Sequence, residues 1–262
     1  MPDVVIFKIG GSLIDDESGL NEFLTGFAKL PYKKILVHGG GILANQLCQT
    51  LKIPVNMVDG RRVTDHATLE VVTMVYGGLI NKRLVASLQA KDCPAIGLTG
   101  ADGGLMEAHR RQAETGPDYG FVGDIDHVND ALLESFLETG LTPVIAPLSC
   151  TKNGQLLNTN ADTIASRVGQ ALAPKMSTSL YFVMDLPGVL RTSSQPDSVI
   201  PQLDQAAAQQ LADDGTVTRG MLPKLDNGFA AKSAGAHSVR IANARGSLKS
   251  CLESKGYGTE LI

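Results

Sequence analysis

Cysteine, aromatic side chains and long apolar runs are what this 262-residue chain has least of. Its four cysteines, Cys48, Cys93, Cys150 and Cys251, are scattered and form no C-x-x-C pair. That pattern fits small buried hydrophobes in a reducing compartment rather than a disulfide framework or a metal site. Only 5% of residues are aromatic, no basic block is present and the net charge is −4. A nucleic-acid partner therefore has no electrostatic footprint. No apolar stretch approaches the ~20 residues of a membrane helix. The start, Met-Pro-Asp, enters a strand-like run at once, without the basic start or apolar core of a signal peptide. The expectation is a cytoplasmic protein with no membrane partner and no metal centre of its own.

What is present is ordinary globular material: 43% hydrophobic and 19% charged residues, with 28 Gly and 12 Pro. A chain of this length buries roughly three quarters of its unfolded surface and needs no staple to fold. Short apolar runs at 4–8, 34–38, 94–98, 143–146, 179–184 and 237–241 read as strands buried on both faces. Between them, stretches of helical period occupy 19–29, 42–51, 65–91, 129–139, 161–172, 204–213 and 221–234. Thr64, Asn129 and Asn160 stand where N-caps would. Such alternation implies βαβ units and a three-layer α-β-α sandwich around a mainly parallel sheet. Residues 105–110 and 121–126 read as an antiparallel hairpin, and 192–201 as a polar, mobile loop. One domain, 1–262, is expected, with a soft division into lobes of about 1–178 and 179–262.

Two of the strands end in glycine turns, Lys8-Ile9-Gly10-Gly11-Ser12 and His38-Gly39-Gly40-Gly41. Glycines at the carboxyl end of a parallel strand let backbone N–H groups approach an anion, at the edge where open α/β sheets bind ligands. Two such turns in successive βα units, one with a lysine at the strand end, argue for a phosphate or carboxylate site. Neither is a P-loop, since G-x-x-x-x-G-K-[ST] is absent, and neither is a dinucleotide fingerprint. A nicotinamide-dependent enzyme is thereby disfavoured. His38 reads as a strand-end histidine satisfied by its neighbours rather than as a base.

In order along the chain come Lys8-Ile9-Gly10-Gly11, Val37-His38-Gly39-Gly40-Gly41, Asp59-Gly60-Arg61-Arg62-Val63-Thr64, Asn158-Thr159-Asn160-Ala161-Asp162, Asp185-Leu186-Pro187-Gly188-Val189-Leu190 and Gly220-Met221-Leu222-Pro223-Lys224. This series resembles the acetylglutamate kinases of arginine biosynthesis, a branch of the amino acid kinases, over nearly the whole chain. The resemblance implies an amino acid kinase-like fold, with the hairpin closing over the acyl group of an N-acylated glutamate. Lys8 would bind the transferring phosphoryl group, Lys224 would help the nucleotide leave, and Asp162 would orient both ammonium groups. Gly10 and Gly11 would meet the ATP phosphates, with Mg²⁺ carried on the nucleotide. Gly40, Gly41, Arg62, Asn158 and Asn160 would hold the acceptor, Arg62 forking onto its α-carboxylate. Asp185, Leu186, Gly188, Val189 and Leu190 would form a nucleotide-side loop, and Thr216, Val217, Thr218 and Met221 would line the nucleotide.

The chemistry of these residues is consistent with that assignment. No histidine or carboxylate in the motifs stands ready to deprotonate an alcohol. A carboxylate acceptor has a pKa near ~4.3 and is already ionised at neutral pH, so it needs no base. Its difficulty is the approach of two anions, which lysines aimed at the transferring group relieve. Carbamate, uridylate, aspartate and glutamate 5-kinases are the nearest rivals, and a non-catalytic sensor on the same fold is a rival of another class. N-succinylglutamate is the alternative acyl substrate. Two departures from the family pattern stand near the second lysine: Arg219 replaces a common glycine, and Pro223 precedes Lys224. Proline is tolerated in a helix's first turn, so an intact helix start is expected. The chain also begins without the extra helix of the arginine-inhibited hexameric relatives, so an arginine-insensitive homodimer is expected.

Overall fold

In the first strand, β1 (Val4–Ile9), all six residues are buried. Alternate side chains pack into separate cores: Val4 and Ile6 into one, Val5, Phe7 and Ile9 into the other. A strand with two apolar faces must be covered twice, which is why helices lie on both sides of the sheet. The computed structural model describes residues 2–58, 61–112, 117–192, 195–217, 220–243, 248 and 257–262.

After β1 the chain runs α1 (Gly11–Asp15), α2 (Glu17–Ala28), β2 (Lys33–His38), α3 (Gly41–Thr50), β3 (Met57–Val58), β4 (Arg61–Arg62) and α4 (His66–Val72). A π-helical stretch, Thr73–Ile80, leads into α5 (Asn81–Gln89), β5 (Ala95–Leu98), β6 (Met106–Arg110), β7 (Gly123–Val128), α6 (Asp130–Glu138) and β8 (Thr142–Ile145). Then follow β9 (Leu148–Cys150), β10 (Leu156–Asn158), α7 (Ala161–Leu172), β11 (Thr178–Val183), β12 (Gln202–Leu203), α8 (Gln205–Asp213), α9 (Leu222–Ser233), β13 (Ser238–Ala242) and β14 (Thr259–Leu261).

Eight strands form one sheet in the order β12-β14-β13-β11-β1-β2-β8-β5, parallel except where β14 runs against β13. Strand β1 pairs with β2 on one side and β11 on the other. Chain order departs in opposite directions from that junction, so a crevice opens beyond the carboxyl ends of β1 and β11, where such sheets bind ligands. Helices α2 to α5 cover one face, where Phe7 stacks on Tyr181 at 4.9 Å and meets the ring edges of Phe23 and Phe27. Helices α6 to α9 cover the other.

The six strands read from the sequence are present, each within a residue or two of its expected ends. Four details differ. Helix α1 starts at Gly11, and α2 starts at Glu17 because the Asp16 carboxylate accepts from the Gly19 N–H at 3.0 Å. The cap of α4 is Asp65, which accepts from the Thr68 N–H at 2.8 Å, and not Thr64, whose hydroxyl donates to the Arg62 carbonyl. The helix expected over 65–91 is continuous over 66–89, but its middle widens to a π-helix. The hairpin of β6 and β7 is half of a four-stranded sheet, β10-β9-β6-β7. The short strands β9, β10, β12 and β14 carry too few residues to show a period. Asn129 and Asn160 cap α6 and α7 as expected, and Pro223 lies in the first turn of an unbroken α9. Part of the expected polar loop, residues 193–194, lies outside the described residues.

Candidate active site

Lys8 occupies the last but one position of β1, on the side of Val4 and Ile6, facing α7. Asp162 stands in the first turn of α7 and meets it: Nζ of Lys8 lies 2.8 Å from Oδ1. Lys224, in the first turn of α9, brings its Nζ to 3.0 Å from Oδ2 of the same carboxylate. All three side chains are largely buried, at 8%, 5% and 17% exposure for Lys8, Asp162 and Lys224. Burial raises the Asp162 pKa, but Lys8 and Lys224 together outweigh it and hold the carboxyl below the usual carboxylate range. Burial likewise lowers the Lys8 pKa, opposed by Asp162 and reinforced by Lys224. Two cations share one anion, so the cluster retains uncompensated positive charge.

A cavity of about 240 Å³ opens on this cluster. Both glycine turns line it, as do Arg62, Asn158, Asn160 and Asp162. The turns are clipped together, since the Gly39 N–H donates to the Ile9 carbonyl at 2.9 Å. Gly40 stands at the N-cap of α3 without a side-chain cap, leaving first-turn N–H groups for a bound anion. A Cβ on Gly40 would collide with Ile80 and crowd the Tyr76 ring, so the π-helical turn packs directly against this backbone. Arg62 donates from Nη2 to the Gly41 carbonyl at 3.1 Å. Its Nη1 is buried with no protein partner. A buried guanidinium nitrogen left unpaired costs free energy until an acceptor arrives, which marks it for a bound anion.

Asn158 donates from Nδ2 to the Thr64 hydroxyl at 3.0 Å, tying β10 to the segment after β4. Asn160 spends its side-chain oxygen on the Asp162 and Thr163 N–H groups, so its part in the cavity is first that of a helix cap. Apart from Gly10 and Gly11, the described nucleotide-side candidates do not line this cavity. Val189, Leu190, Val217 and Met221 are buried. The Val189 N–H donates to the Thr259 hydroxyl at 2.8 Å. Asp185 follows β11 at the carboxyl edge and its carbonyl accepts from Asn243. Leu186 is exposed, and Gly188 packs so close to Thr259 and Val199 that a side chain would not fit. Thr216 precedes Val217, while Thr218, Arg219, Asp59 and Gly60 lie outside the described residues.

Among the cavity residues that went unmarked as ligands in the sequence are Arg61, Tyr76, Arg111 and Asp124. Arg111, just after β6, forms an ion pair with Asp124 of β7, and Arg111 also lies over the Tyr119 ring. Arg61 was visible beside Arg62, but nothing in local sequence brings Tyr76 or Arg111 to the glycine turns.

The amino acid kinase family model matches residues 3–243. An acetylglutamate kinase of Cytophaga hutchinsonii is 47% identical over 262 residues, spanning 100% of this chain and 99% of that protein. An acetylglutamate kinase of Parabacteroides distasonis is 46% identical over 245 residues, 93% of this chain and 95% of that protein. The crystal structure of smu.665 from Streptococcus mutans UA159 superposes with a TM-score of 0.83 at 28% identity, covering 99% of this chain and 98% of that one.

Proposed function

The chain belongs to the amino acid kinase family, and from that premise we infer that it catalyses ATP-dependent phosphorylation of the side-chain carboxylate of N-acetyl-L-glutamate, in arginine biosynthesis. The observation that carries the reaction class is the pair of ammonium groups on one buried carboxylate, opening on a cavity floored by glycine N–H groups. In this reading a γ-carboxylate oxygen of the acceptor attacks the terminal phosphorus of ATP. The bond from that phosphorus to the bridging oxygen breaks, ADP leaves, and an acyl phosphate forms.

Gly40 and Gly41 donate N–H groups to the acceptor carboxylate, and Arg62 offers its unpaired Nη1 to the α-carboxylate. Asn158 orients the region of the acyl amide and α-carboxylate. Lys8 neutralises the transferring phosphoryl group, and Lys224 the charge that grows on the departing ADP. Asp162 holds the two ammonium groups in place without cancelling both. No proton needs to be removed, in keeping with a site whose one buried carboxylate is already bound to two lysines.

The loop from Asp185 to Leu190, with Thr216, Val217, Thr218 and Met221, completes the nucleotide side, and Gly10 and Gly11 approach the phosphates. This division assigns the acceptor to a lobe of about 1–178 and the nucleotide to 179–262. Among the described residues no group of three or more His, Cys, Asp or Glu could hold a metal ion. In this reading Mg²⁺ arrives bound to the nucleotide, where it screens phosphate charge. Among the described residues no helix is long and apolar enough to cross a membrane. Met74 and Leu79, five apart in the π-helical stretch and both exposed, offer apolar surface for the homodimer we propose.

A second acyl group, succinyl, is favoured by one observation: Arg61 also lines the cavity, beside an Arg111 already paired with Asp124, and its guanidinium would meet an additional carboxylate. A hydroxamate assay tests both readings. Purified protein, Mg-ATP and hydroxylamine are incubated with N-acetylglutamate, N-succinylglutamate or free glutamate, and trapped acyl phosphate is measured. Signal with an N-acyl glutamate and none with glutamate is expected. No signal with any acceptor, from folded protein that binds ATP, would overturn the function.

A further inference from the structure

Just outside the cavity lies a buried chain of hydrogen bonds whose polarity can be read without ambiguity. His38, the last residue of β2, has no exposed surface, and neither has Asn81, the first residue of α5. The Asn81 Nδ2 lies 2.9 Å from the Val144 carbonyl, which can only accept, so this atom is the amide nitrogen. Its oxygen receives the Lys82 ammonium at 3.1 Å, which can only donate. The same Nδ2 lies 3.2 Å from Nε2 of His38. Because Nδ2 is a donor, Nε2 must accept and is unprotonated. The imidazole proton therefore sits on Nδ1, 2.8 Å from the Gly39 carbonyl oxygen, and is donated to it.

The consequence falls on the glycine turn. The Gly39 carbonyl and the Gly40 N–H belong to one rigid trans peptide and point in opposite directions. A proton held against the Gly39 oxygen therefore directs the Gly40 N–H away from the imidazole. The Gly39 N–H is itself bound to the Ile9 carbonyl, so the peptides on both sides of this glycine are restrained. We propose that His38 is a positioning residue for the acceptor: in its neutral Nδ1–H form, imposed by Asn81, it fixes the Gly39–Gly40 peptide so that the Gly40 N–H is preset to receive the acceptor carboxylate. The inference rests on the reading of Gly40 and Gly41 as the cradle for that carboxylate.

Two near-isosteric substitutions separate this role from general packing. In His38→Asn the side-chain amide can place an N–H where Nδ1 stands. In His38→Gln the amide nitrogen lies one carbon further out, where Nε2 stands. Both keep a polar side chain in the same buried space. The expected result is that His38→Gln raises KM for N-acetylglutamate about tenfold, the equivalent of one misdirected hydrogen bond to a charged group. The KM for ATP should stay within about twofold, and His38→Asn should bring KM for N-acetylglutamate back to within about threefold of the wild type. Equal KM values for the two variants, or a matching rise in KM for ATP, would overturn the proposal.

A measurement on the wild-type protein is independent of turnover. Nitrogen-15 shifts of labelled histidine, with His38→Asn identifying the His38 signals among the five histidines, report which ring nitrogen carries the proton. A neutral ring protonated at Nδ1 is expected at pH 7, and a proton on Nε2 would overturn the relay. If the wild type phosphorylates no acyl glutamate, the functional reading fails on that result, and the tautomer measurement still decides the relay.

Discussion

The two sides of the crevice are built differently. Around the transferring phosphoryl group and the proposed acceptor side, polar groups hold one another in place: Lys8, Asp162 and Lys224 are locked in ion pairs, and Arg62 is pinned to Gly41 with one nitrogen to spare. On the nucleotide side, the motif residues Val189, Leu190, Val217 and Met221 are buried core members, and the polar contacts among them run mostly through backbone. The difference teaches that one family motif can be maintained for two reasons. Around Lys8 the motif supplies charge at a fixed place, whereas around Val189 and Met221 it supplies a packed support on which a loop can present its backbone.

Substitutions can break or sharpen that contrast. Lys8→Ala should lower kcat by about three orders of magnitude, roughly 4 kcal/mol of transition-state stabilisation, while circular dichroism shows an intact fold. Unchanged turnover would remove Lys8 from the mechanism.

A smaller effect concerns pH and again separates the acceptor turn from the rest. Burial lowers the His38 pKa from 6.5 to about 4, opposed by the Gly39 hydrogen bond. The unfolded chain takes up this proton near pH 6.5 and the folded protein does not, so the unfolded state gains protons as pH falls from 6.5 to 4. Stability is complete above 6.5 and declines below it, by about 3 kcal/mol near pH 4 from this one group. Urea titrations of His38→Gln should show that decline reduced, and identical slopes for variant and wild type would contradict it.

Met221→Ala should cost about 2–3 kcal/mol of stability as a core truncation while moving KM for ATP only a few-fold. The opposite result, a stable protein with greatly weakened ATP binding, would erase the distinction between the two sides. Arg62→Ala should raise KM for the acyl amino acid about tenfold, around 1.4 kcal/mol, and an effect confined to ATP would refute its placement.

Much of this is legible in the sequence. Strands β1, β2, β5, β8, β11 and β13 are short apolar runs because both faces are buried, so composition alone exposed them. Asn160 and Pro223 could be placed at helix starts because capping and ring geometry are local effects. Residues whose roles depend on distant partners were hidden. Thr64 looked like a helix cap, but its hydroxyl was already bonded to the Arg62 carbonyl and its backbone to Tyr119 and Phe121, leaving the cap to Asp65. Tyr76 sits in a helix whose period marks it only as apolar, and its approach to the glycine turn follows from the π-helical widening.

The sequence by itself determined the kinds of group available: two strand-end glycine turns, a lysine before one of them, a second lysine in a helix start, and an arginine pair between. Backbone freedom at glycine and the fixed charge of lysine and arginine are properties of single residues, so they could be read one residue at a time. Tertiary structure decided the distances. It placed Lys8 and Lys224, 216 positions apart, on opposite oxygens of Asp162, left one nitrogen of Arg62 unpaired, and set the proton on His38 through Asn81. Those outcomes depend on where the β1 edge, α7, α9 and α5 come to rest. That is settled by burying both faces of an eight-stranded sheet, which no single segment can do alone.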